Sequence, residues 1–372
     1  MKKLLCILNN MNAGGAETFL MKIYRNIDRT KYQMDFCINV KEKCFYEDEI
    51  HSLGGRVFRI TSKSNGFSAF RKELSELIAS EKYEHVLRIT SNAMGFLDLK
   101  IAKKAGAKIC CARSSNSSDG NGLMLKISHL IGRAIFLKYV DIAIAPSDLA
   151  ARYTFGNKMY RDNNVHIINN AVDLDVYQYK EISREQIRKE FNIPLNAMVI
   201  GHIGRFMEQK NHLFLADVFN VICRSNSNVV LMLVGEGPLK QAFEERITEY
   251  GLSEKVKYLG IRRDIPDVLS AMDVLVFPSL YEGMPNTVIE AQATGLPCVI
   301  SNTITRDADI TGLIKYISLN EKPELWAEMV ISSICKTRKS TKEMFVKQRY
   351  DVNISAGEFI DLLFHKKQES MT

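Results

Sequence analysis

Short apolar runs separated by amphipathic segments recur along this chain in two series, and that alternation limits the fold more than any other feature. In the first series Lys3–Leu8, Met34–Val40, Arg56–Ile60, His85–Thr90, Lys108–Arg113, Asp141–Pro146 and Val165–Ile168 are short, apolar and bounded by turn formers, as strands are. Segments of helical period, such as Glu17–Ile27, Ala69–Ser80 and Leu97–Ala105, lie between them. The second series holds Met198–Ile203, Val229–Val234, Val256–Leu259, Val274–Phe277, Cys298–Ser301 and Lys315–Ser318. Strands alternating with helices imply βαβ units and parallel sheets covered on both faces. The expected class is α/β, with two Rossmann-like domains at 1–175 and 176–345 joined near the polar bridge Asp175–Asn192. A chain of 372 residues exceeds one ordinary core, which agrees with two domains. The final segment, Thr341 to Phe364, is helical in period but has no further strand to serve. Residues 346–372 are therefore expected to pack across the junction or back on the first domain, ending in a frayed KKQESMT.

With 46% hydrophobic and 25% charged residues the chain is neither disordered nor a membrane bundle. Its first apolar run, Leu4 to Leu8, is too short for a signal peptide and reads as a buried strand. No stretch approaches the roughly 20 apolar residues of a membrane span. The eight cysteines show no CxxC and no pairing with histidine, so reduced thiols in a cytoplasmic protein are expected. Charge is uneven: residues 1–175 carry 26 Lys and Arg against 18 Asp and Glu, a balance of +8, whereas residues 176–372 carry 24 against 25. Such a bias suits an anionic partner for the first half, whether a membrane surface, a lipid pyrophosphate or nucleic acid, and it also suits an ordinary solvated surface.

In an open α/β sheet, ligands bind at the carboxyl ends of the strands. After the first strand, NNMNAGGAETF places Gly14 and Gly15 before a helix starting near Ala16; the glycines admit a ligand close to the backbone and the helix start offers free amides. It is neither GxGxxG nor a P-loop, and a Gly-Gly turn can be simply a turn. GHIGRFMEQKNH follows the first strand of the second series. Arg205 and Lys210 stand five apart across a turn, so a guanidinium fork and a mobile ammonium can converge on one anion. With Glu208 between them, a surface ion cluster is the other reading. LVGEGPLK and YLGIRRDIPDVL repeat the strand, glycine, helix order; the latter, with Gly260, Arg262, Arg263 and Asp264, offers either a backbone bed for a flat base or solvated helix-start charges.

Pro278 to Pro297, PSLYEGMPNTVIEAQATGLP, is punctuated as a strand end, a turn and a helix running from near Pro285 to Gly295. Glu282 lies in the loop and Glu290 about a turn and a half into the helix. They share no helix face and converge only on something lying over the N-terminus, where carboxylates accept hydrogen bonds from sugar hydroxyls. Either alone also reads as an exposed glutamate, Glu282 being favourable near the helix dipole.

GGAET, GRFMEQKNH, VGEGP, YLGIRRDI and the E-x7-E of YEGMPNTVIEAQATGLPCVIS, in this order over nearly the whole chain, resemble the retaining glycosyltransferases of the GT-B fold, family 4 in the sequence classification. PELWAEMV and the final helix resemble enzymes of bacterial capsule or exopolysaccharide assembly. The resemblance implies two Rossmann-like domains whose sheets face across a cleft, the first taking the acceptor and the second the donor. It implies that Arg205 and Lys210 hold the donor diphosphate, helped by the Gly14–Gly15 turn and the Gly15 amide, and that Glu290 binds the ribose. Glu282 and the stretch Gly283, Met284, Pro285, Asn286 and Thr287 would bind the donor sugar and its neighbouring phosphate. Leu259 to Arg263, including Gly260, would lie near the base. The implied partners are a nucleotide-sugar donor, UDP-linked, and a saccharide or lipid-linked saccharide acceptor, with no nucleic acid, no cofactor and no metal. Attack from the face that the phosphate leaves would give retention. The place of action would be the cytoplasm, or the periphery of the inner face of the plasma membrane. A catalytically silent partner in a glycosylation complex and a sugar-nucleotide epimerase remain as alternatives.

Such enzymes often carry a histidine in the first domain, near the sugar. Here CCARSSNSSDG has Ser115 at that place, with Arg113 and Asn116 nearby as further first-domain contacts. Leu123 to Val140 is apolar nearly all round, with Lys126, Arg133 and Lys138 interspersed. That suits a buried helix, and together with the basic first half it also suits a peripheral helix on anionic lipid.

Overall fold

The computed structural model describes residues 1–115, 122–334 and 337–365. The chain divides into two units, Met1–Ala171 with Arg349–Thr372, and Val172–Gln348. The first holds β1 (Lys2–Ile7), β2 (Tyr32–Ile38), β3 (Val57–Arg59), β4 (His85–Thr90), β5 (Ile109–Ser114), β6 (Ile142–Ala145) and β7 (Val165–Ile167). The second holds β8 (Met198–Ile203), β9 (Val229–Val234), β10 (Val256–Tyr258), β11 (Val274–Phe277), β12 (Cys298–Ser301) and β13 (Ile314–Ile317). Each of the thirteen apolar runs read from the sequence overlaps one of these strands, with ends that differ by at most two residues.

All the pairings are parallel, for example Leu4 opposite both Met34 and His85 in the first sheet and Ile200 opposite both Leu231 and Val274 in the second. The orders are β3-β2-β1-β4-β5-β6-β7 and β10-β9-β8-β11-β12-β13. Both are Rossmann orders. Each reverses direction once, between β1 and β4 in the first sheet and between β8 and β11 in the second, and the crevice for ligands opens at such a point. Strands covered on both faces need apolar side chains throughout rather than alternation; VVLMLV of β9 is buried at every residue.

After leaving the second unit the chain returns to the first. Asp351 accepts from Asn353 N–H (2.8 Å) to start the helix Val352–Phe364. Phe359, Leu362 and Leu363 are buried, and the Phe359 ring meets Phe19 of the helix Gly15–Asn26 edge-on, with centroids 6.0 Å apart. In the second unit the buried Trp326 is tied down by Nε1–H donating to Ser318 O (3.0 Å). The seven described cysteines are free thiols, six of them buried.

One expectation is corrected. The helix at Leu123–Phe136 is not buried all round: His129, Gly132 and Phe136 face the core, whereas Leu123, Met124, Ile127, Leu130, Ile131 and Ile135 are exposed. Periodicity could not show this, because both faces are apolar. No helix among the described residues is long and apolar enough to cross a membrane.

Candidate active site

The loops after β8 and β11 flank the direction reversal of the second sheet, and the structure stitches them together at three points. Leu280 N–H donates to Gln209 O (2.8 Å), Gln209 Nε2 donates to Tyr281 O (2.9 Å), and Lys210 Nζ meets Glu282 Oε1 at 2.6 Å. Lys210 and Glu282 are both largely buried, and the ammonium also stands 4.4 Å from the centre of the Phe277 ring. A cation held between a carboxylate and an aromatic face keeps a defined place without freezing in water. This ion pair is formed within one unit, and Glu282 is not a freely solvated carboxylate. Arg205, in contrast, is exposed and pairs with no carboxylate among the described residues. Its guanidinium is therefore available to an external anion.

The turn that carries Arg205 is shaped by its neighbours. Phe206 N–H donates to Glu236 O (3.2 Å), Leu239 N–H to Phe206 O (3.0 Å) and Gly235 N–H to Gly260 O (2.8 Å). The glycines of GEGP have a physical reason to be there. Gly235 adopts φ +133°, and a Cβ on it would run into Gly204 O and stand 2.8 Å from Gly204 C; one on Gly237 would stand 2.5 Å from Phe206 O. Both contacts are with backbone, which cannot swing aside. Gly260, at φ +64°, lies beside them just after β10, with Arg263 exposed nearby. Arg262 turns away and is held by Glu190 (2.6 Å) and Asp264 (2.8 Å), an ion cluster on the unit itself.

Pro285 precedes the helix Asn286–Ala293 as its N-cap residue, so the amides of the first turn face the Glu282–Met284 loop. Pro285 is buried, and Gly283, Met284, Asn286 and Thr287 are half-buried. Glu290 is buried one turn in, so neither glutamate is an exposed surface residue. Among the described residues no three His, Cys, Asp or Glu side chains gather as a metal ion would require.

Two residues that sequence reasoning passed over lie directly beneath Lys210. His202 on β8 donates from Nδ1 to Val276 O (2.9 Å), leaving Nε2 buried without a partner; His212, at the start of the helix His212–Ser225, stacks on Phe206 with neither ring nitrogen bonded. The two rings meet at 4.6 Å. Burial first, then His212 and Lys210, hold His202 well below the ordinary histidine value, and burial and Lys210 bring His212 down to about 4. The available signal was a histidine inside the apolar run MVIGHI.

This pair makes stability pH-dependent. The unfolded chain protonates both rings near 6.5, whereas the folded chain protonates His212 only near 4 and holds His202 well below its ordinary value. Their contribution is complete above pH 6.5 and is lost as pH falls below it, at about 1.4 kcal/mol per pH unit for each ring. His212→Phe is expected to flatten the fall in urea midpoint between pH 7 and pH 5; an unchanged slope would rule this out.

In the first unit, Gly14 is the extended N-cap (φ −122°, ψ 168°) of the helix that Gly15 begins, and the Glu17 carboxylate folds back against it. Arg113 sits beneath the surface and not on it. It is 1% exposed, its guanidinium lies 3.5 Å over the Phe19 ring, and Nη2 donates to Asn170 Oδ1 (2.7 Å). Burial lowers its pKa to about 9. Ser115 is exposed and bonds through its N–H to Thr90 O (3.0 Å), and Asn116 lies outside the described residues.

The geometry can be set beside known proteins. Residues 197–334 match the model of the family "Glycosyl transferases group 1". EpsF of Bacillus subtilis, named a glycosyltransferase, is 32% identical over 369 residues, which cover 97% of this chain and 96% of EpsF. The UDP-Gal:alpha-D-GlcNAc-diphosphoundecaprenol alpha-1,3-galactosyltransferase of Escherichia coli is 29% identical over 238 residues, 62% of this chain and 60% of that enzyme. Among solved structures, Anabaena HepE in complex with UDP and glucose superposes with a TM-score of 0.72 over 100% of this chain and 99% of HepE, at 18% identity. By its full-length likeness to EpsF and its pair of parallel-sheet units, the chain belongs to the group 1 glycosyl transferases and has the GT-B fold.

Proposed function

We propose that this glycosyltransferase moves a sugar from a UDP-linked donor to a lipid-linked saccharide, with retention and without a metal, in the assembly of a bacterial surface polysaccharide. The observation that carries the reading is the meeting, at the direction reversal of the second sheet, of Lys210, Glu282 and the open N-terminus of the helix Asn286–Ala293, with Arg205 exposed on the adjoining turn. A departing nucleoside diphosphate needs fixed positive charge where its own negative charge develops, and two cations and a helix N-terminus supply it. In this reading Lys210 exchanges Glu282 for a phosphate oxygen, and Glu282 becomes available to the sugar hydroxyls. Glu290 takes the ribose hydroxyls, and the backbone around Gly260 and Arg263 lies against the base. The two cations do the work a metal would do, which supports metal independence. The E. coli relative's nucleotide and diphosphoundecaprenol substrate, and the UDP bound to HepE, support the donor and acceptor classes. Such an acceptor would place the enzyme at the inner face of a membrane.

Thermal shift with UDP, GDP and CDP and their sugar conjugates tests the donor. A ligand at a hundred times its Kd raises stability by about 2.7 kcal/mol, so the true nucleotide is expected to stand apart. Glu290→Ala and Arg205→Ala are each expected to weaken UDP binding tenfold or more, roughly the 1.4 kcal/mol of a lost charged hydrogen bond. UDP binding unchanged in both variants would refute the site. The anomeric configuration of the product, read by NMR, tests retention.

A further inference from the structure

A stack of four rings runs beneath the donor site and joins its two loops. Phe206, next to Arg205, lies on His212 with ring centres 4.1 Å apart, His212 meets His202 at 4.6 Å, and His202 lies on Phe277 (5.4 Å), the ring that Lys210 Nζ also meets. Asn211, in the left-handed region at φ +55°, turns the chain so that Lys210 reaches Glu282 while His212 enters the core. Phenylalanines alone could fill such a stack. Instead three imidazole nitrogens are buried in it without a hydrogen-bond partner, Nε2 of His202 and both of His212, and an unpaired polar atom is costly to bury. The carbonyl of Val276 can only accept, so Nδ1 carries the proton of neutral His202 and Nε2 holds a lone pair. That lone pair lies close to the lysine: a Cβ on Gly204 would stand 3.1 Å from His202 Nε2 and 3.1 Å from Lys210 Cδ.

We propose that His202 and His212 supply a third positive charge to the donor site, taking up a proton from solvent when the diphosphate settles on Arg205 and Lys210. The inference rests on the reading of those two residues as the cations of the diphosphate. In the free enzyme both rings are neutral, because burial and the Lys210 ammonium each oppose a charge there. The negative charges of a diphosphate reverse the second of these influences. The N–H bond then formed at a ring nitrogen places positive charge beneath the group on which negative charge develops. A permanent third cation would instead repel Lys210 whenever the donor is absent. The other elements packed on the pair bring it apolar side chains, Phe243 from the helix Lys240–Glu249 and Phe277 from β11. Of the charged groups around it, Lys240 pairs with Glu236, Arg246 with Asp217 and Glu282 with Lys210, while Arg205 and Glu208 lie exposed.

The test is calorimetric titration of the full chain with UDP-glucose at pH 7.5 and pH 5.5, in buffers of different ionisation enthalpy. Both phosphates of this probe are diesters and keep their charge across the range, so the probe itself binds no proton. A group whose proton affinity rises on binding makes binding tighter as pH falls. Proton uptake is therefore expected at pH 5.5, with binding about three- to fivefold tighter there than at pH 7.5. In His202→Phe/His212→Phe, which keeps the rings and loses the proton acceptors, the uptake and the pH dependence are expected to vanish. Uptake that survives in that variant belongs to Glu282 or Glu290 and overturns the proposal. Equal binding by wild type at both pH values overturns it and leaves the donor reading standing; no binding at either overturns the donor reading and the proposal with it. Where the variant binds too weakly to titrate, a measurement without ligand decides. The Hε1 resonance of His212 is expected to titrate at higher pH in Lys210→Met/Glu282→Gln than in wild type, and an unmoved titration overturns the proposal.

Discussion

Lys210→Ala is expected to lower turnover of the sugar donor by about a hundred- to a thousandfold, the 2.7–4 kcal/mol that a lost preorganised donor to developing charge typically costs. The same change strands Glu282, largely buried and now without its cation, so stability should fall as well, by up to about 3–5 kcal/mol. These two losses can be separated. In Lys210→Ala/Glu282→Ala no unpaired charge remains, and the urea midpoint should recover much of the way toward wild type while turnover does not. If turnover recovers with stability, Lys210 is structural only. If Lys210→Ala leaves both untouched, the pair is a bystander. Effects on turnover should be far from additive, because both residues serve one event.

The second large effect is expected at a residue with no side chain. Gly235→Ala combines a backbone angle of +133° with a Cβ driven into Gly204 O, and neither partner is a flexible side chain. Strain and overpacking of about 1–3 kcal/mol each sum to about 3–5 kcal/mol of lost stability, near the limit of what single substitutions do. Because the displaced atoms begin the turn that carries Arg205, UDP affinity should fall too, even though Gly235 is not assigned a ligand contact. Urea unfolding and UDP titration on the same preparation check both. Gly251→Ala is the control: its φ is +67° but nothing lies within 4 Å, so only a small loss of stability and full UDP affinity are expected.

How far the sequence foretold this molecule differs from element to element for physical reasons. The strands were legible because a doubly covered parallel sheet admits only apolar side chains, and runs such as VVLMLV or VLVF have few other uses. The loops after β8 and β11 were legible as candidate ligand loops because their place after a strand already fixes which end of the sheet they occupy. The contact between Lys210 and Glu282 was not legible, since it spans 72 residues and depends on which strands are neighbours. Arg113 read as a first-domain ligand contact because nothing local announces that Phe19, nearly a hundred residues earlier, lies across its guanidinium. His202 and His212 escaped notice for a related reason. A histidine's burial is decided by tertiary packing, which the residues beside it in the chain do not report. The exposed side of the helix Leu123–Phe136 was hidden by composition, because leucine and isoleucine look the same whether they face a core or lie open.

The return of Val352–Phe364 to the first unit bears on how the protein is made. The first unit's opening helix is covered by a segment near the end of the chain, with 178 positions separating Ala171 from Arg349. At 5–20 residues per second a ribosome needs roughly ten to forty seconds to synthesise that interval. Throughout it, the face of the helix around Phe19 stays bare, and the second unit has its whole sequence before the first does. The unit synthesised first is thus the last to be completed, and a message cut short after Gln348 would yield a finished second unit carried by a first that holds an open apolar groove.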